Sequence, residues 1–225
     1  MAKPDLKRIK LLRLSSLFVL FLIIQCKPQI GIEISCTENE SEILKKNKHA
    51  KRVNRHTLMI YLKQEQKEFK DEPPFDDYLS GKQWEYCAYN KETDYHLIKL
   101  RDRDYFTGIL LSQKDGQSFK AGYRVLVSPK KNSYWAANQP NGLDGEEWKI
   151  YDFSGALIWE GITPVSETPS GPHFGELHDP AWNEKGVLVA KHRCYHKEGS
   201  TQVSLDLSVS PPVWKPEVKC PGNPY

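Results

Sequence analysis

From Lys82 to the end of the chain, apolar residues come in short runs, and each run is cut off by a turn signal within a few positions. The runs are WEYCAY, YHLIKL, TGILLS, YRVLVS, YWAA, EWKIYD, ALIWEG, VLVAKHRCY and QVSLDLSV. Between them stand K-D-G-Q at 114–117, P-K-K-N-S at 129–133, F-S-G at 153–155, N-E-K-G at 183–186 and K-E-G-S at 197–200. Runs of four to nine residues rich in β-branched and aromatic side chains, bounded by Gly, Asn, Asp and Ser, predict strands joined by tight turns. No helical period competes with them, so the pattern predicts a mainly β fold. That fold is either an antiparallel β-sandwich or a small, incomplete β-propeller-like domain.

Upstream the pattern changes. Residues 43–75 form a basic segment, in which positions 45–70 carry nine Lys or Arg against Glu65 and Glu68. Within it TLMIYLKQEQKEF (57–69) has helical potential, with Thr57 as N-cap and Leu58, Tyr61, Leu62 and Phe69 on one face; the compact run 58–62 suits a strand as well. Pro73 and Pro74 end either element. Residues 26–42 read as a tether, although Ile30, Ile32 and Ile34 alternate and would add one strand. The expected organisation is therefore a leader at 1–25, a tether at 26–42, the basic segment at 43–75 and a β-rich domain at 76–225.

The leader carries Lys3, Lys7, Arg8, Lys10 and Arg13, then an uninterrupted apolar run at 14–24 that stops at I-I-Q-C. That run is about half the ~20 residues a spanning helix needs, and a basic region followed by a short apolar one is the pattern of a secretory signal. An apolar run ending at a cysteine resembles the lipobox of bacterial lipoproteins. Gln25 stands where a small residue is usual, so the resemblance is to the looser, spirochaete type. It implies that the thiol of Cys26 receives a diacylglyceryl group and becomes the first residue of the mature chain. The competing reading is an uncleaved signal anchor with Cys26 an ordinary thiol; the shortness of the run favours the lipobox. The resemblance implies export and lipid attachment to the outer membrane or to the periplasmic face of the inner membrane, without a spanning segment.

This reading changes what charge and cysteine content mean. Five of the 32 basic and one of the 29 acidic residues belong to positions 1–25, leaving 27 and 28, a net charge of −1. The basicity of the whole chain lies in the leader, and no nucleic-acid partner is expected. With Cys26 used for lipid, Cys36, Cys87, Cys194 and Cys220 remain, an even number in a chain bound for an oxidising compartment. Two disulfides are expected, in any of three connectivities.

Three pieces, VSPKKNSYWAA, IYDFSGALIWEG and DPAWNEKGVLVA, resemble the strand–turn–strand units of WD40-like or TolB-like propeller blades across residues 123–195. In that family such a turn closes a hairpin within a blade.

Candidate chemistry is sparse. The segment at 163–180 reads as the longest loop, and AKHRCYH after it places His192, Cys194 and His196 at period two on one strand face. With His173, His178 and Asp179 these residues are of the types zinc accepts, though none of the standard ligand spacings is present and no cofactor is expected. Cys194 in a disulfide, with the histidines on the surface, is the plainer alternative. NQPNGLDGEE (138–147) collects oxygen ligands around a turn but lacks the order of a calcium loop. Glu146, Glu147, Glu176 and Asp179 are acids available for glycoside hydrolysis, with nothing in the sequence to pair them. Of the six tryptophans, Trp135 and Trp182 adjoin turns and are the candidates for an exposed binding surface. The basic cluster KKNKHAKR (45–52) is either an anion-binding patch or a solvated charged stretch. The expected function is a lipid-anchored envelope protein whose β-rich domain binds a protein or glycan. The alternatives are a lipid-anchored hydrolase or metalloenzyme using residues 163–196, and a purely structural envelope protein.

Overall fold

The computed structural model describes residues 31–74, 80–140, 145–166 and 173–220. The leader and Cys26 lie outside the described residues.

Four antiparallel sheets follow one another along the chain. The first is β2 (Ala50–Asn54), β3 (Thr57–Tyr61) and β4 (Gln66–Lys70); the second is β5 (Lys82–Asn90), β6 (Tyr95–Asp102), β7 (Tyr105–Ser112) and β8 (Ser118–Ala121). The third is β9 (Arg124–Val127), β10 (Ser133–Asn138), β11 (Glu147–Asp152) and β12 (Leu157–Ile162), to which β1 (Ile32–Ser35) adds at the β9 edge. The fourth is β13 (Pro164–Ser166), β14 (His173–Trp182), β15 (Leu188–Cys194), β16 (Thr201–Asp206) and β17 (Val213–Lys215). One short helix, α1 (Glu40–Lys46), precedes β2.

The sheets stack face to face in chain order, as three hydrophobic clusters show. Leu58 and Ile60 of the first sheet meet Tyr86, Ile98 and Leu111 of the second. Leu97, Leu110 and Phe119 of the second meet Val125, Val127, Tyr134 and Ala136 of the third. Leu126, Trp135, Trp148 and Ile150 of the third meet Leu177, Trp182, Leu188 and Val203 of the fourth. Adjacent residues therefore serve opposite clusters, Leu97 against Ile98 and Tyr134 against Trp135, because successive side chains of a strand leave on opposite faces. The two middle sheets are covered on both faces, which explains why YHLIKL and YRVLVS read as unbroken apolar runs. Each interface is a sandwich, and the succession of meander sheets has the order of propeller blades. Among the described residues, none of the three clusters joins the first sheet to the fourth.

Several local expectations are corrected. Residues 57–69 are strands, not helix: Leu58 and Ile60 point into the core while Met59 and Tyr61 do not, a period of two. The helix forms earlier, where the Asn39 side chain accepts the Ser41 amide, Glu40 and Glu42 occupy the first turn, and Lys45 and Lys46 the last. The expected tether contains β1, with Ile34 only 2% exposed. The supposed long loop is largely strand, β13 and β14, with residues 167–172 outside the described residues.

The cysteines choose one connectivity, Cys36–Cys87 and Cys194–Cys220. The first bond joins the end of β1 to β5 of the second sheet, and the second joins the end of β15 to the C-terminal segment. Arg52 ties the first sheet and α1 to the second: it bonds Asp71 at 2.8 Å and Glu40 at 3.0 Å, while Asp71 accepts the Trp84 amide and Glu40 the Tyr86 amide. No helix among the described residues is long and apolar enough to cross a membrane.

The meanders give the stack two unlike rims. The β3–β4, β5–β6, β7–β8, β9–β10, β11–β12, β14–β15 and β16–β17 turns lie on the same rim as Gly31. Contacts between turns of neighbouring sheets hold it together: Lys63 with Asp94, Lys131 with Glu92, and Gly31 against Trp182. Two of these turns share one design. Asp152 accepts the amides of Ser154 and Ala156, Asn183 those of Lys185 and Val187, and Gly155 and Gly186 supply the positive φ at the fourth position. The links between successive sheets, and the β2–β3 and β6–β7 turns, form the opposite rim.

Candidate functional site

The sequence-predicted cluster around β15 is only partly assembled. Leu188, Ala190, His192 and Cys194 form the buried face of β15. The Cys194–Cys220 bond brings the Cys220 sulfur to 3.6 Å from His192 Nε2, so the three donor groups lie within 4.8 Å of one another. Both sulfurs are consumed by the disulfide, leaving no thiolate to ligate a metal. Burial lowers the His192 pKa, which keeps the imidazole neutral and able to accept a hydrogen bond. Gly175, paired with Cys194, makes this approach possible: a Cβ there would stand 2.8 Å from His192 Nε2 and 3.1 Å from the Cys220 sulfur.

His192 and Cys220 border a cavity of about 430 Å³ walled by Val165, Phe174 and Val218, with Glu217 and Lys219 contributing charge. It lies toward the rim opposite Gly31, because His192 lies two residues from the far end of β15. An apolar wall with one neutral imidazole, one carboxylate and one ammonium suits a small ligand that has both apolar and polar parts.

The other predicted ligands go elsewhere. His178 and Asp179 stand apart from this face: His178 pairs in register with Lys191, and Asp179 lies 2.9 Å from Lys191 Nζ and 3.3 Å from His178 Nδ1. The Lys191 hydrogen bond holds the Asp179 carboxyl below its ordinary pKa. His196 follows the end of β15 and is exposed. His173 begins β14 opposite Ser166, and its side chain lies outside the described residues. His178, Asp179 and His196 do not converge with His192, because a strand sends neighbouring residues to opposite faces and His196 falls beyond its end.

Trp135 and Trp182 do not form an exposed surface. They are 0% and 5% exposed, inside the cluster between the third and fourth sheets. Arg124 lies over the Trp135 ring at 5.0 Å, and Trp182 Nε1 donates to the Leu126 carbonyl at 2.9 Å. Adjacency to a turn did not expose them because each strand's last inward position is still covered by the next sheet. The acids are likewise taken up by the fold: Glu146 by Tyr123 and Trp148, Glu147 by Tyr105 and Lys149, Glu176 by Arg193. Positions 141–144 of the calcium-like run lie outside the described residues. In the basic cluster, Lys45, Lys46 and Arg52 are paired with Glu42, Glu38 and Glu40.

One polar cluster went unread in the sequence. Between the first two sheets, Asn47 donates to the Tyr86 hydroxyl at 2.9 Å, and that hydroxyl lies 2.9 Å from His96 Nδ1. The other ring nitrogen, Nε2, meets Gln113 Oε1. The donors run in one direction if Nε2 carries the proton, which leaves Nδ1 to accept from Tyr86. His96 is fully buried, and its pKa falls to about 4 because burial penalises the charged ring. The Tyr89 ring stacks on it at 4.7 Å, His49 stands edge-on at 5.7 Å, and the Tyr89 hydroxyl donates to Asp94. The Asp94 bond pushes the Tyr89 phenol up to about 12. The signal available was a histidine inside the apolar strand run YHLIKL; its partners Asn47, Tyr86 and Gln113 come from three other segments.

No protein-family model matches this chain, and neither a curated protein nor a solved structure matches it.

Proposed function

We propose that this protein is exported, attached to a membrane of the bacterial cell envelope through lipid on Cys26, and uses its β-rich domain to bind a ligand, not to catalyse a reaction. The observation that carries the reading is the pairing of all four remaining cysteines, Cys36 with Cys87 and Cys194 with Cys220, behind a leader that ends at I-I-Q-C. Disulfides persist in compartments outside the reducing cytosol, and the fifth cysteine is the one that a lipobox would consume. The ligand site is the cavity beside His192, which lies toward the rim opposite the one where the chain enters. Its polar groups orient a small ligand or a side chain of a partner protein, and among the described residues that line it no nucleophile stands beside a base.

The test is Cys26→Ser in a bacterium that processes lipoproteins. The variant should lose incorporation of a fatty-acid analogue and pass from the detergent phase to the aqueous phase. A variant that labels and partitions like the parent would refute the anchor.

A further inference from the structure

The rim that carries Gly31 is also where apolar side chains are left in solvent. Of nine large hydrophobic residues exposed among the described residues, six lie on or beside its turns: Tyr61, Leu157, Ile158, Leu207, Val209 and Val213. Five of these flank a single junction, the Trp159–Trp214 contact at 5.8 Å between the outer edges of the third and fourth sheets. The β16–β17 turn between Asp206 and Val213 reads L-S-V-S-P-P, with no charge in it. Beside it lies a cleft of about 380 Å³ bordered by Trp182, Val187, Leu188, Leu205 and Leu207. Trp182 connects this cleft to the chain's entry, since a Cβ on Gly31 would stand 3.1 Å from its ring.

We infer that this apolar turn, with Leu157 and Ile158, is a second membrane contact, which seats the anchored domain rim-down on the lipid surface. The inference rests on the lipid-anchor reading of Cys26. Only four residues lie between Cys26 and Gly31, a reach of at most about 18 Å. The five-stranded third sheet is itself about 19 Å wide from β1 to β12 at the usual strand spacing. A rim held that close is always within reach of the headgroups, so the chemistry of its turns decides how it rests. Charge of both signs lines the described turns: Lys63, Lys131 and Lys215 are paired with Asp94, Glu92 and Asp206, while Lys91, Lys114, Lys130 and Lys185 stand on turns that also carry Glu65, Asp115, Asp152 and Glu184. The apolar cluster at 157–158 and 207–213 is the part of the rim without charge, and apolar side chains at headgroup depth bind by leaving water. The cavity beside His192 then lies toward the rim away from the membrane.

The test is hydrogen exchange on the full chain in vesicles of phosphatidylethanolamine and phosphatidylglycerol, compared with Cys26→Ser in buffer. Amides of 207–213 should exchange at least fivefold more slowly on the vesicles, while the far-rim turns at 103–104 and 195–200 are unchanged. The protection should survive 0.5 M salt and be lost in the double variant Leu207→Ser, Val209→Ser, whose side chains are exposed and whose fold is kept. A parallel arm separates this surface from the natural anchor. The Cys26→Ser chain, with a hexahistidine ahead of residue 26, is held on nickel-chelating lipid, so that a failure of lipidation leaves the rim measurable. Absence of protection at 207–213 on nickel lipid, protection of the far rim instead, or protection that vanishes with salt would each overturn the inference. Protection that grows with protein concentration in the absence of vesicles would also overturn it, by showing that a second copy covers the patch.

Discussion

His96 should make the stability of this domain fall sharply in mild acid. Its ring is fully buried, accepts from Tyr86 and bonds Gln113, and has no carboxylate in direct contact, Asp94 being occupied by Lys63 and Tyr89. Burial takes its pKa from 6.5 to about 4. The folded ring therefore resists a proton that the unfolded chain accepts, so the unfolded state gains as pH drops through 6.5. The contribution is complete above that pH, declines through the window from 6.5 to about 4, and levels off below it. A pKa separation of that size is worth about 3 kcal/mol, of which about 2.5 kcal/mol is lost by pH 4.5. His49 and His192, also lowered by burial, push in the same direction, so the contribution of His96 is isolated by difference. Urea unfolding at pH 7.5 and 4.5 should show the parent losing about 2 kcal/mol more than His96→Gln, which keeps a polar side chain but cannot be protonated. Equal losses in the two proteins would refute the assignment of a neutral, proton-resisting ring at position 96.

Arg52→Leu should destabilise the domain by about 3 kcal/mol in the same assay, because it strands the Asp71 carboxylate, whose side chain is 2% exposed; a loss under about 1 kcal/mol would show that Asp71 does not depend on it. Protein purified without reductant should show no free thiol among Cys36, Cys87, Cys194 and Cys220, and chelator should leave its melting temperature unchanged; one equivalent of zinc lost on His192→Ala would reinstate the metal reading. Removing the Cys36–Cys87 bond, which closes 51 residues, should cost about 4 kcal/mol by loop entropy, and removing Cys194–Cys220, which closes 26, about 3.5 kcal/mol.

The β character of the domain was legible because most of its strands are short, alternate or run apolar, and end at Gly, Asn or Asp. The order of the sheets was not. It depends on which face of each strand meets which neighbour, and in YHLIKL both faces are apolar, so nothing local separates Leu97 from Ile98. Helix and strand stayed open for 57–69 for a related reason: Leu58, Tyr61, Leu62 and Phe69 satisfy a helical stripe, while Leu58 and Ile60 satisfy a strand, and tertiary cover decided for the strand. At the candidate site, the sequence placed His192 and Cys194 on one face, since period two is a local property. It did not foresee that Cys220 would close over them, or that His178 and Asp179 would be taken by Lys191. The network around His96 was invisible because four segments supply it, and each member alone looks like an ordinary polar residue.

The way β1 is attached gives the anchor its mechanical meaning. On the proposed lipid anchor, a pull on Cys26 reaches the domain through Gly31 and then β1, whose four residues pair with β9 from Ile32 opposite Val127 to Ser35 opposite Arg124. Two residues of such a ladder would peel easily at an edge strand, but Ile34 is buried against Leu97 and Val125, and Cys36 is bonded to Cys87 directly after the strand. The load is therefore delivered to the second and third sheets together, the two that are covered on both faces. The first sheet, joined to the second by one cluster and by Arg52, and the fourth, carrying the His192 cavity, lie off that path. On the proposed anchor, the load is thus borne by the two sheets that are packed on both faces, and the cavity beside His192 lies away from them in the fourth sheet.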